Sequence, residues 1–128
     1  MIQNKEVLFV DDDLDDQEIF SVVLSDVSDS VHCSFVNTAE EALKVLSKNT
    51  STRPDFIFLD LNLPFMSGFE CLRAIKEQPY LKNIPVIIYS TSSRDADKQK
   101  AKELGAINYI TKPDSVAALK TLLRDIFA

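Results

Sequence analysis

Short runs of β-branched and aromatic residues alternate along this chain with longer stretches whose apolar positions recur every three or four residues. Continuous or alternating apolar runs point to strands and a 3.6-residue period to helices, so the pattern predicts five βα units. The first strand, β1, is expected near Glu6–Asp11, followed by α1 near Asp15–Ser25 with Ile19, Phe20, Val23 and Leu24 as its buried stripe. Ser25–Ser30 reads as a turn and Val31–Asn37 as β2. Thr38 followed by Glu41 has capping-box spacing and opens α2, which carries Ala39, Ala42, Leu43 and Leu46 on its apolar side. A polar loop, Asn49–Pro54, leads into β3 at Asp55–Asp60. Ser67 followed by Glu70 repeats the capping-box pattern and opens α3, whose Phe69, Leu72 and Ile75 face the sheet. Pro79 and Pro85 bracket the loop before β4, Pro85–Ser90. Helix α4 is expected from Arg94 to Leu104, stopped by Gly105 as a left-handed cap. Strand β5 covers Ala106–Ile110, and α5 runs from Asp114 to Phe127.

The runs Phe56–Leu59 and Val86–Tyr89 carry no polar alternation, as expected of strands buried on both faces. Five βα units of this kind predict an α/β doubly wound fold, a three-layer sandwich of parallel sheet between two helix layers. Right-handed crossovers then bring every strand's carboxyl end to one edge, where open parallel sheets bind their ligands. The pattern contains no repeat or linker and predicts a single domain over residues 1–128, with no output domain.

Composition narrows the function classes. The hydrophobic fraction of 45% and charged fraction of 27% are ordinary for a globular domain. A net charge of −6 and the lack of a basic stripe argue against direct nucleic-acid binding. No apolar stretch approaches the about 20 residues that span a bilayer, and no signal-like segment precedes β1, so no membrane role and a cytoplasmic location are expected. Cys33 and Cys71 match neither a disulfide framework nor a zinc spacing and read as reduced, structural thiols. His32, the single histidine, reads as a strand-edge residue.

Chemistry gathers where the apolar runs stop. Val7–Val10 runs into Asp11, Asp12 and Asp13; Phe56–Leu59 into Asp60; Val86–Tyr89 into Ser90 and Thr91; and Ile107–Ile110 into Thr111, Lys112 and Pro113. Asp15 and Asp16, with Asp13, suit a helix N-terminus, where acids favour the macrodipole and cap free amides. Asp11 and Asp12 precede that turn, and with Asp60 they crowd three like charges into one place. Such crowding opposes ionisation, and a bound cation relieves it. All-oxygen ligands point to Mg²⁺, with Mn²⁺ as a substitute. Lys112 adds a positive charge at the same rim. Pro113 keeps it extended, and a cis Lys112–Pro113 bond would re-aim the strand end. Gly68 falls early in α3, where a glycine is costly unless the preceding loop approaches closely.

Taken together, the acidic pair, the segment Asp60–Gly68 with Asn62 and Pro64, the hydroxyl-bearing end of β4 and the Lys112–Pro113 pair resemble the receiver domains of two-component response regulators. The resemblance covers nearly the whole chain and is to the stand-alone chemotaxis-regulator type. It implies a flavodoxin-like (βα)5 fold with sheet order 2-1-3-4-5. It also implies that Asp60 accepts the phosphoryl group, and that Asp11, Asp12, Asp60 and the backbone carbonyl of Asn62 hold the metal. Lys112, Ser90 and Thr91 would bind the phosphoryl oxygens, while Ser90 and Tyr109 would form the switch read on the α4–β5–α5 face. The implied partners are a histidine kinase, of hybrid or phytochrome type, or a phosphotransfer protein, and a downstream protein. A monomer or a phosphorylation-dependent dimer is expected.

Leu14, Asp114 and Ser90 depart from commoner receiver residues, and Ser90 keeps the hydroxyl of the usual threonine while losing its methyl. Three further functions compete on the same pattern, of which flavin binding lacks the Gly/Ser/Thr-rich phosphate loop it would want after β1. A phosphatase of the haloacid-dehalogenase type would want a second acid two residues after Asp60, where Asn62 stands. A pseudo-receiver that only binds protein would be expected to lack an acid or the lysine, and none is missing. A conventional enzyme is therefore not expected.

Overall fold

The computed structural model describes residues 4–47 and 53–127. Five strands, β1 (Lys5–Val10), β2 (Val31–Val36), β3 (Phe56–Leu59), β4 (Val86–Ser90) and β5 (Asn108–Thr111), alternate with five helices. The helices are α1 (Leu14–Val27), α2 (Ala39–Ser47), α3 (Gly68–Glu77), α4 (Asp95–Glu103) and α5 (Val116–Phe127). All strand pairs are parallel, in the order β2-β1-β3-β4-β5. The doubly wound, flavodoxin-like architecture expected from the sequence is the one observed. Most of the polar loop expected at Asn49–Pro54 lies outside the described residues.

Strand parity distributes the core. Val7 and Phe9 of β1, Phe58 of β3, and Ile87 and Tyr89 of β4 point to the layer containing α1 and α5. Their neighbours Leu8, Val10, Ile57, Leu59, Val86 and Ile88 point the other way, toward α2, α3 and α4. The first layer is aromatic: Phe20 of α1 lies 4.3 Å from Phe9 and 5.0 Å from Phe58, ring centre to ring centre. Both faces of β1, β3 and β4 are thereby covered, which fixes the parallel sheet as interior.

Several local expectations change. Ile19 is exposed, and α1 packs through Phe20, Val23 and Leu24 instead; the helix begins one residue early, at Leu14, and Ile19 lies to the side of its inward arc. Strand β5 starts at Asn108, and α5 starts at Val116 because Ser115 caps it, its hydroxyl accepting the Ala118 amide at 3.1 Å. The Lys112–Pro113 bond is trans; no cis peptide occurs among the described residues. At α2, Thr38 accepts the Glu41 amide at 3.0 Å, while the Glu41 carboxylate reaches the amide of Asn37 rather than that of Thr38. The Ser67–Glu70 capping box is complete, and Gly105 has the positive φ of 105° that a left-handed helix cap needs.

Gly68 explains how β3 hands its terminal aspartate to the site. A Cβ at this position would overlap the Asp60 carbonyl oxygen and stand 2.6 Å from the Leu61 Cα. The Gly68 amide donates to the Leu61 carbonyl at 3.0 Å, so the start of α3 lies directly against the backbone that carries Asp60. Gly68→Ala is expected to destabilise the fold by about 1–3 kcal/mol, the usual cost of overpacking. Urea denaturation measures it, and an unchanged midpoint would show that the loop relaxes freely.

Candidate functional site

Asp11 and Asp60 lie one residue beyond β1 and β3, which are adjacent strands in register. The Asp11 amide donates to the Val36 carbonyl at 3.1 Å and the Asp60 amide to the Val10 carbonyl at 3.0 Å, continuing the sheet ladder one step past the strands. Both carboxylates are buried. Asp12 follows Asp11 but is exposed. Carboxylate oxygens of Asp11, Asp12 and Asp60 all lie within 4.8 Å of one another. The acidic trio expected from the sequence is therefore a spatial cluster.

Lys112 enters the cluster from the end of β5. Its amide donates to the Ser90 carbonyl at 2.7 Å, pinning the backbone to β4. Its ammonium contacts Asp11 at 2.8 Å, Asp16 at 2.7 Å and Asp60 at 3.3 Å. With a side chain only 11% exposed, this is a buried cation among acids and not a solvated surface lysine. The Tyr89 ring centre lies 5.7 Å from the same ammonium.

The electrostatics follow from burial and pairing. Burial pushes the Asp11 carboxyl up to about 6, against the opposing hydrogen bonds from Lys112 and the Asp13 amide. Burial alone would lower the Lys112 pKa, but hydrogen bonds to Asp11 and Asp16 and the attraction of Asp60 outweigh it and raise the value above the ordinary lysine range. One ammonium contacts the carboxylates of Asp11, Asp16 and Asp60, and Asp12 lies beside Asp11 and Asp60, so acids outnumber the cation in the pocket. Oxygen donors that close, with one of them open to solvent, fit a small hard divalent cation.

The sequence predicts Asp16 only as a helix-terminal acid. Asp13 does cap α1, accepting the Asp16 amide at 3.0 Å, but the Asp16 carboxylate itself turns to Lys112. Gln17 clamps the same loop, its amide group donating to the Asp11 carbonyl and to Asn37 Oδ1, each at 2.7 Å. The sequence signal for both is the helix start a few residues beyond Asp11, which puts the first turn of α1 beside the end of β1.

The remaining expected residues lie around this pocket in different environments. The Asn62 amide donates to Asp60 Oδ1 at 3.2 Å. Ser90 is fully buried, and its hydroxyl accepts the Ser92 amide at 3.2 Å. Thr91 is exposed at the rim. Tyr109 is half-buried against the α2–α3–α4 layer, and its hydroxyl donates to the Ser92 carbonyl at 2.8 Å. His32 is an exposed strand-edge residue paired with Glu6, and both cysteines are free, with burial pushing each thiol up to about 12.

Phe65 has no distinguishing signal in the sequence. It has φ of 67° and is 92% exposed, and the Met66 amide reaches back to the Pro64 carbonyl at 2.8 Å. That is a γ-turn with a positive φ, a strained form for a bulky residue. Left-handed backbone costs a non-glycine residue about 1–2 kcal/mol, and glycine's extra chain entropy returns about 0.5–1 kcal/mol of that. Phe65→Gly is thus expected to stabilise the protein by up to about 1 kcal/mol. A lower thermal midpoint would contradict this.

A profile of the Response regulator receiver domain family matches residues 7–124. Among solved structures, the fold superposes with a TM-score of 0.87 on the phosphorylated cyanobacterial phytochrome response regulator RcpA, at 32% identity over 96% of this chain and 91% of that one. The Mn²⁺-bound form of response regulator Rcp1 gives a TM-score of 0.84 at 32% identity, covering 95% of this chain and 91% of the other. Among curated relatives, a probable cyclic di-GMP phosphodiesterase of Vibrio cholerae is 33% identical over 115 residues, 90% of this chain and 25% of the relative. The chain spans 25% to 52% of the length of several such relatives.

Proposed function

Since the chain belongs to the response regulator receiver domain family, we propose that it is the phosphoacceptor of a two-component phosphorelay, with Asp60 as the residue phosphorylated. The observation that carries this reading is the meeting of Asp11, Asp60 and Lys112 in one buried cluster, with the Lys112 ammonium 2.8 Å from Asp11 and 3.3 Å from Asp60. The relative RcpA, whose structure is of a phosphorylated form, supports it.

The donor is a phosphohistidine on a histidine kinase or a phosphotransfer protein. A carboxylate oxygen of Asp60 attacks phosphorus in line; the new O–P bond forms as the P–N bond to histidine breaks, and the imidazole leaves with the electron pair. Positioning and charge stabilisation supply most of the acceleration in such transfers. Lys112 exchanges a carboxylate partner for a phosphoryl oxygen, and the Ser90 and Thr91 hydroxyls donate to others. Asp11, Asp12 and Asp60, with the Asn62 carbonyl, would hold Mg²⁺, or Mn²⁺, the ion bound by the similar regulator Rcp1. The bound ion would neutralise charge building on the transferring oxygens.

Phosphorylation adds about −1.5 to −2 charges. Ser90 and Tyr109 respond and change the α4–β5–α5 surface, which a downstream protein reads. The likeness to a phytochrome response regulator supports a kinase of phytochrome type. No helix among the described residues is long and apolar enough to cross a membrane, and the reading puts the chain in the cytoplasm with its donor. Asn62, where a haloacid-dehalogenase phosphatase would need an acid, supports a signalling role over turnover of phosphate esters.

Incubation with acetyl phosphate and Mg²⁺, followed by intact-mass measurement, is expected to add one phosphoryl group to the native chain and none to Asp60→Asn. Native protein that gains no mass would overturn the reading. A pH dependence follows from Asp11. Because its carboxyl titrates near 6, protons compete with the cation below that pH, and Mg²⁺ affinity should fall by up to about tenfold per pH unit. Calorimetric titrations above and below that pH measure it; an affinity that does not change would remove Asp11 from the ligand set.

A further inference from the structure

Among the described residues, Asp97 is buried along with the polar side chains of Asp11, Asp60 and Ser90, yet the proposed phosphoryl chemistry leaves it without a role. It sits in the first turn of α4, beyond the end of β4. There its Oδ2 accepts the Ser92 hydroxyl at 2.6 Å, and Arg94 closes on both carboxylate oxygens with contacts of 3.0 to 3.1 Å. The Ser92 hydroxyl also takes the Arg94 amide at 3.3 Å. Arg94 is the residue flanking α4 and has no side-chain cap of its own, so Ser92 and Asp97 together organise this helix start.

Each polar group of Ser92 is engaged, and each connects to a different part of the proposed switch. Its amide donates to the Ser90 hydroxyl at 3.2 Å. Its carbonyl receives the Tyr109 hydroxyl at 2.8 Å and, more weakly, the Thr111 hydroxyl at 3.5 Å. Its own hydroxyl goes to Asp97. A serine hydroxyl that accepts one hydrogen bond keeps its own proton to donate. Ser92 therefore occupies the acceptor side of Ser90 and leaves the Ser90 proton for an oxygen in the pocket. Hydrogen bonds in such a chain strengthen one another.

We propose that Asp97 is a positioning residue: by holding Ser92, it fixes both the orientation of the Ser90 hydroxyl and the Tyr109–Ser92 bond, and so couples the acidic pocket to the start of α4. This rests on the proposed phosphoacceptor role and extends it to three residues, Ser92, Arg94 and Asp97, that the phosphoryl chemistry does not require. The carboxylate suits the task. The Ser92 hydrogen bond, and then Arg94, hold its pKa below the usual range, so it stays a charged acceptor. The sequence carries the device as Ser92 followed five residues later by Asp97, with Arg94 between.

The test labels the protein with 3-fluorotyrosine, assigns the Tyr109 resonance with Tyr109→Phe, and compares native chain, Asp97→Asn, Ser92→Ala and Ser92→Thr. Two quantities are read: the ¹⁹F shift of Tyr109 without any phosphodonor, and the maximal rate of phosphorylation by acetyl phosphate with Mg²⁺. Asp97→Asn and Ser92→Ala are expected to move the Tyr109 resonance and slow phosphorylation roughly two- to tenfold, the span of one hydrogen bond. Ser92→Thr, which keeps the hydroxyl, is expected to stay near native in both. Thermal midpoints identify any variant that has merely lost its fold, and Ser92→Thr then separates loss of the hydroxyl from loss of packing. Movement of one readout without the other, or of neither, would overturn the proposal. A native chain that accepts no phosphoryl group would instead sink the phosphoacceptor reading, while the Tyr109 shift would still decide whether Asp97 acts through Ser92.

Discussion

A single ammonium group holds the functional edge of this molecule together. Lys112 follows directly on β5, yet its Nζ bonds to carboxylates from the loops after β1 and β3 and from the first turn of α1. Exposed ion pairs contribute about 0–1 kcal/mol, whereas breaking a buried one by removing a partner costs about 3–5 kcal/mol. The Lys112–Asp11 pair is of the second kind, with the Asp11 side chain fully buried. One lysine cannot neutralise all the surrounding acids, and the negative charge left over would suit a cation.

The rest of the architecture serves that edge. Parallel strands buried on both faces are needed to bring the ends of β1, β3, β4 and β5 to one side, and the alternation of Val7, Leu8, Phe9 and Val10 between the two helix layers provides it. Gly68 lets α3 begin against the Asp60 carbonyl, and Gln17 fastens the Asp11 carbonyl to the loop after β2. On the other side of Ser90, the Ser92–Asp97–Arg94 cluster ties the end of β4 to α4 and to Tyr109. The pocket and the α4–β5 face are thus joined by a short run of hydrogen bonds.

Strand and helix order is readable from hydrophobic period alone because every central strand is a continuous apolar run ending in a polar residue. Which residues share the edge follows from crossover handedness, and so Asp11, Asp60, Ser90 and Lys112 are identifiable from sequence. What escapes is side-chain direction within a turn. Asp16 looks like any acid at a helix start, and nothing in its neighbours distinguishes capping from reaching back to Lys112. Ile19 fits a helical stripe on its spacing to Val23, yet it sits about 100° round the helix from Phe20, at the side of the arc that Phe20, Val23 and Leu24 bury. Phe65 escapes because a strained positive φ at a phenylalanine is not a preference that composition can reveal. Asp97 needs the path of the loop after β4, which folds Ser92 back over the helix start.

The central claim is that the strand ends build one cation pocket from Asp11, Asp12 and Asp60 beside Lys112. An anomalous difference map from a crystal grown with Mn²⁺ tests it most directly. One strong peak is expected among those three carboxylates and the Asn62 carbonyl, with the Lys112 ammonium beside it. A peak elsewhere on the surface with none at this edge, or an Asp60 carboxylate turned away from Asp11 and Lys112, would contradict the account.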